Sequence, residues 1–187
     1  EAVKTTLEKF SRVDALVNNA GISNISPALD TSTEKYRQVL EVNLVAPFIL
    51  AKAFGKIMLD AGSGAVVNVA SVAGLQGVAD RSAYNASKHG LIGLTRTLAV
   101  EWGARGVRVN AVCPGWVKTE MTTQSRSIPG LEQQVLQRTP ANRWGMETDF
   151  EGVAAFLGSA ASDFVTGIAI PVDGGFSGTL FIFDPPV

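Results

Sequence analysis

The sequence predicts an α/β fold, a parallel sheet with helices on both faces. Three observations carry that prediction. Short apolar runs alternate with helical periodicity, in the order strand, helix, strand, helix, strand, helix, strand. The runs are apolar at nearly every position rather than at alternate ones, as in strands buried on both faces. Each closes on small or turn-forming residues, Ala20-Gly21, Ser71, Pro114-Gly115 and Gly174-Gly175.

In chain order, Glu1 to Phe10 reads as a helix, with Val3, Leu7 and Phe10 at helical spacing. Asp14 to Asn19 is the first strand. Thr31 with Glu34 fits a capping box, and Ser32 is a competing cap. A helix then runs to about Asp60, with Pro47 expected to kink or break it. Gly62-Ser63-Gly64 turns into the second strand, Ala65 to Ala70. A second long helix spans Ser82 to Trp102 and ends near Gly103 or Gly106. Val107 to Val112 is the third strand, stopped by Pro114-Gly115. The stretch from Trp116 to Gly145 is irregular, with a short helix at Leu131 to Gln137. A helix capped by Thr148 or Asp149 runs to about Ala160, and Thr166 to Asp173 is the fourth strand. Neither an internal repeat nor an interdomain linker is visible, so residues 1–187 read as one domain, with residues 179–187 an unusually apolar tail.

The bulk composition narrows the function classes. With 187 residues and 46% hydrophobic side chains the chain can build a sizeable core. A formal net charge of -1 gives no case for nucleic acid or an anionic membrane as partner. No basic run and no apolar stretch of membrane-spanning length stands out. One cysteine, Cys113, excludes an intrachain disulfide and suits a reducing, cytoplasmic setting. One histidine, His89, leaves no metal-binding cluster, and no metal is expected.

Right-handed crossovers place all strand C-termini on one edge, where ligands of such sheets bind. That edge carries Asn18-Asn19-Ala20-Gly21, then Ser71, then Pro114-Gly115 with Val117 and Thr119. Beyond Ser71 comes Tyr84-x-x-x-Lys88 at a helix start, the two side chains on one face. Serine, tyrosine and lysine at the end of a buried strand point to proton transfer. His89, one position along, faces elsewhere. Asn110 reads as a buried structural amide and Cys113 as a small buried side chain. Of the three tryptophans, Trp116 is the one placed to touch a ligand.

These motifs resemble the short-chain dehydrogenase/reductase family. The matching stretches are Asn18 to Gly21, Asn43 within Val42-Asn43-Leu44, Ser71, Tyr84-x-x-x-Lys88 and Asn110. To these add Pro114-Gly115-x-Val117-x-Thr119, Arg143-Trp144-Gly145 and Val172 to Phe176, all in family order over residues 1–178. The resemblance implies a Rossmann-like sheet and an NAD- or NADP-dependent oxidoreductase that interconverts a secondary alcohol and a ketone. It implies a catalytic set of Asn43, Ser71, Tyr84 and Lys88. Tyr84 is then the general acid/base, and Lys88 lowers its pKa and binds the nicotinamide ribose. Ser71 orients the substrate oxygen, and Asn43 positions a water linking Lys88 to solvent. For the cofactor it implies Asn18, Ala20 and Gly21 on the adenosine side, Val117 and Thr119 at the carboxamide, and Pro114 and Gly115 beside Tyr84 and Lys88.

The family's N-terminal strand and G-x-G-x-x-G turn do not occur in the sequence. The resemblance therefore reads as a C-terminal portion, with an incomplete sheet and weak cofactor binding expected. Two readings follow: an active oxidoreductase, or a truncated, non-enzymatic structural or interaction partner. The polar set Arg126, Gln133, Gln134, Arg138 and Arg143 tilts the substrate toward a sugar or polyol, or a 3-oxoacyl group. The two long helices are expected to pack between subunits of a dimer or tetramer.

Overall fold

A computed structural model describes residues 2–179; the apolar tail expected at residues 179–187 lies, but for Thr179, outside the described residues. Four parallel strands form one sheet in sequential order. They are β1 (Ala15–Asn18), β2 (Gly64–Val69), β3 (Val107–Pro114) and β4 (Ala169–Val172). Helix α1 (Ala2–Phe10) precedes β1. The β1–β2 crossover carries α2 (Thr33–Leu40) and α3 (Ala46–Ala61), and the β2–β3 crossover carries α4 (Ser82–Trp102). Between β3 and β4 lie α5 (Thr123–Arg126), α6 (Leu131–Arg138) and α7 (Glu151–Gly158).

Strand alternation divides the core. Val66, Val107 and Val109 face α3 and α4, where they meet Ala51, Met58, Leu98 and Ala99. Val67 and Val112 face the other way, onto Leu157 of α7. Cover on the α7 side stops short of β1, where Val17 is 55% exposed. A polar ladder crosses the interior: Asn18 Nδ2 donates to Asn68 Oδ1 at 2.8 Å, and Asn68 Nδ2 to Thr95 Oγ1 at 2.9 Å. Each buried amide on that ladder needs its partner, since an unmatched one costs about 1–3 kcal/mol.

Several boundaries differ from the sequence expectation for physical reasons. Ser32, not Thr31, caps α2, its hydroxyl accepting from Lys35 N at 3.2 Å. Pro47 does not break the helix: it sits in the first turn of α3, where its missing N–H is tolerated. The irregularity lies one turn earlier, as a π turn over Glu41–Val45 around the buried Asn43. Pro47 cannot donate to the carbonyl four residues back, which is Asn43, and a widened turn answers that lost bond. Strand β3 extends to Pro114, which pairs with Val172. Strand β4 is shorter than expected because Gly167 is left-handed, φ +78°, and Thr166 meets Val109 N through its hydroxyl instead.

The expectation of no membrane-length apolar stretch is corrected too. Within the continuous helical run Thr33–Ala61, one 18-residue window with a mean hydropathy of 1.6 is long and apolar enough, by length and composition, to cross a membrane. Val39, Ala51, Phe54 and Met58 on it are buried in the core, while Phe48 and Ile49 are exposed. The run thus carries two apolar faces, one of them turned to the sheet.

Between β2 and α4, a short 3-10 turn, Val72–Gly74, packs on the α4 backbone. A Cβ on Gly74 would lie 2.8 Å from the Lys88 carbonyl oxygen, so only glycine lets the turn approach this closely. Gly74→Ala is expected to cost about 1–3 kcal/mol, an overpacking penalty against backbone that cannot swing aside. Urea denaturation measures it; an unchanged midpoint would show that the turn is free to lift off α4.

Candidate active site

The site is built at the C-terminal edge of β2. Ser71 follows the strand, and its Oγ accepts from Ala73 N at 3.1 Å, which caps the Val72–Gly74 turn and leaves its O–H free to donate. Tyr84 and Lys88 occupy the first two turns of α4, which packs against β3 and the Ser71 turn. The Lys88 Nζ donates to the Val69 carbonyl at 2.7 Å and stands 5.6 Å from the centre of the Tyr84 ring. Serine, phenol and ammonium therefore converge as the strand order requires.

Asn43 approaches from the π turn. Its Nδ2 donates to Ile22 O at 2.9 Å and to Ser87 Oγ at 3.1 Å, and its Oδ1 accepts from Ile22 N at 2.9 Å. The side chain is thus committed to the loop after β1 and to α4. It ties these segments together, and Pro47 leaves the Asn43 backbone carbonyl without its usual helical donor. Ser87, whose hydroxyl donates to Tyr84 O at 2.7 Å, extends the tie to the catalytic helix.

Electrostatics at the site follow from burial. Lys88 is 4% exposed, and desolvation lowers its pKa from 10.5 to about 8. Burial pushes the Tyr84 phenol up; a hydrogen bond from Ser71 and the charge of Arg81 pull it partly back. Lys88 Nζ, expected to lend positive charge to the phenol, stands over the Tyr84 ring while it donates to the Val69 carbonyl, and Arg81 adds a second positive charge near the same group.

The positions expected to meet a cofactor line the same edge. Asn18 is buried in the polar ladder, whereas Asn19 and Ala20 are exposed. A Cβ on Gly21 would lie 3.3 Å from Asn43 Oδ1 and 3.6 Å from Lys88 Nζ, so the backbone there borders the reacting groups directly. Pro114 ends β3 in register with Val172, and Gly115 packs against Asp173 with no room for a side chain. A cavity of about 250 Å³ opens beside Gly115, Trp116, Val117 and Asp173. Thr119 N donates to Thr122 Oγ1 at 3.1 Å, which fixes the start of the next turn. This donor set fits the nicotinamide and its ribose. Among the described residues no G-x-G-x-x-G turn opens a helix, so the fit extends to that end of a dinucleotide alone. No group of three or more His, Cys, Asp or Glu that could hold a metal occurs among them either.

Other sequence readings resolve simply. His89 is exposed, its Nδ1 against Asn85 O. Asn110 bridges Val165 O and Ile168 N, a structural amide. Of the arginines read as substrate contacts, Arg126 bonds Thr119 O, Arg138 stacks on Phe176 and Arg143 pairs with Asp149. Gln133 and Gln134 are exposed on α6. A polar cluster outside that set is Arg81, whose charge bears on Tyr84 and whose guanidinium bonds Ser23 and Ser125. Their partnership across distant segments leaves no local sequence signal.

A parallel α/β sheet with a buried lysine and a tyrosine beside a strand-end serine defines a nicotinamide-dependent oxidoreductase of the Rossmann-like class. A family model described as enoyl-(acyl carrier protein) reductase matches residues 1–177. The chain belongs to the short-chain dehydrogenase/reductase family, which uses NAD or NADP. It is 44% identical over 179 residues to 2-dehydro-3-deoxy-D-gluconate 5-dehydrogenase of Bacillus subtilis, covering 94% of this chain and 70% of that protein. It is 42% identical to 3-oxoacyl-[acyl-carrier-protein] reductase of Synechocystis, covering 94% of this chain and 69% of that protein. Among solved structures, gluconate 5-dehydrogenase of Burkholderia cenocepacia in complex with NADP and tartrate superposes with a TM-score of 0.93 at 32% identity. That match covers 96% of this chain and 70% of the other.

Lys88 sets a stability test. Its folded pKa of about 8 lies below the ordinary 10.5, so from pH 8 to 10.5 the unfolded chain binds more protons and this residue's contribution to stability rises with pH. Below pH 8 the full penalty of about 3 kcal/mol is present. Lys88→Met should therefore be more stable than wild type at pH 7, by that amount less the lost bond to Val69 O. The gain should shrink between pH 8 and 10.5. Urea denaturation at pH 7 and pH 10 measures both; a variant weaker than wild type at pH 7 contradicts the assignment.

Proposed function

We propose that this chain oxidises a secondary hydroxyl of a sugar acid or polyol to a ketone, and the reverse, with Tyr84 as general acid/base. The observation that carries the reading is the convergence of Ser71, Tyr84 and Lys88 on the carboxyl edge of the sheet. A bound nicotinamide cofactor supplies the hydride acceptor or donor. Ser71, whose O–H bonds the Tyr84 phenol in the free site, turns to the substrate oxygen and stabilises charge developing there. Tyr84 Oη takes the hydroxyl proton in oxidation and returns it in reduction. Lys88 lends positive charge near the phenol and offers its remaining N–H groups to the cofactor ribose. Asn43 holds the loop after β1 against α4, and so acts as a positioning residue. Asn18, Ala20, Gly21, Pro114, Gly115, Val117 and Thr119 border the cofactor, with Tyr84 and Lys88.

The polar Arg81–Ser23–Ser125 cluster, with Arg81 three residues before Tyr84, favours the sugar class over an acyl chain. The names of the gluconate-type relatives support the same choice, while the 3-oxoacyl reductase of Synechocystis supports the acyl alternative. Residues 1–178 act as one nucleotide-binding domain in this reading, and the single free cysteine suits the cytoplasm.

We further propose that α3 and α4 pair with those of a second copy, as a dimer or tetramer. Phe48 and Ile49 on α3 and Val100 on α4 are exposed at 45%, 54% and 85%. Phe48→Glu with Ile49→Glu should shift the protein to monomer in light scattering; an unchanged mass would place the interface elsewhere.

Tyr84→Phe should lower kcat by about 10²- to 10⁴-fold, the worth of general acid–base catalysis, with cofactor affinity retained. Steady-state oxidation of D-gluconate and galactitol with NAD or NADP measures it. Wild-type turnover in the phenylalanine variant would falsify the role.

A further inference from the structure

Arg81 stands three residues before Tyr84, at the N-cap of α4, and does not cap the helix. Its charge bears on the Tyr84 phenol. The guanidinium is half-buried and meets only neutral hydroxyls: Nη1 donates to Ser23 Oγ at 2.7 Å and Nη2 to Ser125 Oγ at 3.0 Å. Ser125, on α5, is 1% exposed, and Ser23 belongs to the loop after β1. Arg81 joins none of the ion pairs found among the described residues. The carboxylate of its neighbour Asp80 does not pair with it.

That arrangement is unfavourable on its own terms. A guanidinium carries five N–H donors, and two hydroxyls leave three of them without a described protein partner. A partly desolvated cation wants an opposite charge. It also lies at the helix end whose dipole is positive, where an anion rather than a cation is stabilised. Burial lowers its pKa, and the one charge-bearing group that counters the shift is the Tyr84 phenol.

We propose that Arg81, with Ser23 and Ser125, is the subsite that binds the carboxylate of the substrate, which makes the substrate class a hydroxy acid and not a neutral polyol. The inference rests on the sugar-acid or polyol reading above and chooses between its two halves. The planar fork of the guanidinium matches a carboxylate with two parallel N–H bonds. Ser23 and Ser125 hold that fork from opposite segments, Ser125 from within the core. The anchored acid then projects its hydroxyl-bearing carbons along the α4 face toward Tyr84 and Ser71.

Binding of D-gluconate and of D-glucitol, which replaces the carboxylate by a neutral hydroxymethyl group, tests this directly. Calorimetric titration is run on wild type, R81Q and R81K, with NADP at saturation and without it. Wild type should bind gluconate at least tenfold more tightly than glucitol. R81Q should weaken gluconate binding about 10- to 100-fold, the worth of a charge-assisted pair, and leave glucitol unchanged. R81K keeps the charge without the fork and should fall between. Equal binding of the two ligands by wild type overturns the subsite even if R81Q fails to fold. Equal loss of both ligands in R81Q also overturns it, because Arg81 would then only brace α5 against the loop. Turnover stays outside the readout, so the two readings separate. Arg81-dependent gluconate binding in a protein that oxidises no alcohol removes the proposed activity and keeps the subsite. Alcohol oxidation with gluconate bound equally by wild type and R81Q does the reverse.

Discussion

The bond from Lys88 Nζ to the Val69 carbonyl is the contact on which the rest of the site depends. It joins the end of β2 to the second turn of α4, at a depth where water no longer solvates the ammonium. Whatever sets that distance also sets the distance from Ser71, two residues beyond Val69, to Tyr84, one turn before Lys88. Gly74 makes the approach possible by letting the Ser71 turn rest on the Lys88 backbone. The geometry of three reacting groups thus reduces to one strand–helix junction.

A second level of constraint surrounds that junction. Asn43 closes hydrogen bonds with Ile22 and Ser87, and Asn18 with Asn68, which in turn meets Thr95. These amides are buried among apolar side chains, so each is costly unless matched and, once matched, admits one arrangement. Together they fix the loop after β1 relative to α4. An apolar substitute would fill the same space without fixing the register of the loop against the helix, and the cofactor edge depends on that register.

Much of this was legible in the sequence, and the exceptions share a cause. Strand runs, the Ser32–Glu34 region and the four-residue spacing of Tyr84 and Lys88 are local patterns, and the structure keeps them. The π turn at Asn43 has no local signal, because the effect of Pro47 falls not where it stands but on the carbonyl it leaves four residues back. Strand β4 starts later than its apolar run because a threonine hydroxyl replaces a ladder bond, which β-propensity cannot register. Arg81 was unreadable for a different reason. Its partners lie 58 and 44 residues away, and within its own segment it looks like an ordinary solvated arginine.

The two cations at the start of α4 are best understood together. Lys88 is buried and Arg81 lacks a counter-ion, Arg81 at the N-cap of a helix whose end repels positive charge and Lys88 in its second turn. Folding alone would favour neither. A core built only for stability would place apolar or acidic groups there, so the cost marks positions kept for chemistry. The phenol between them is itself disfavoured as an anion by burial, and the positive field is what returns it toward reactivity.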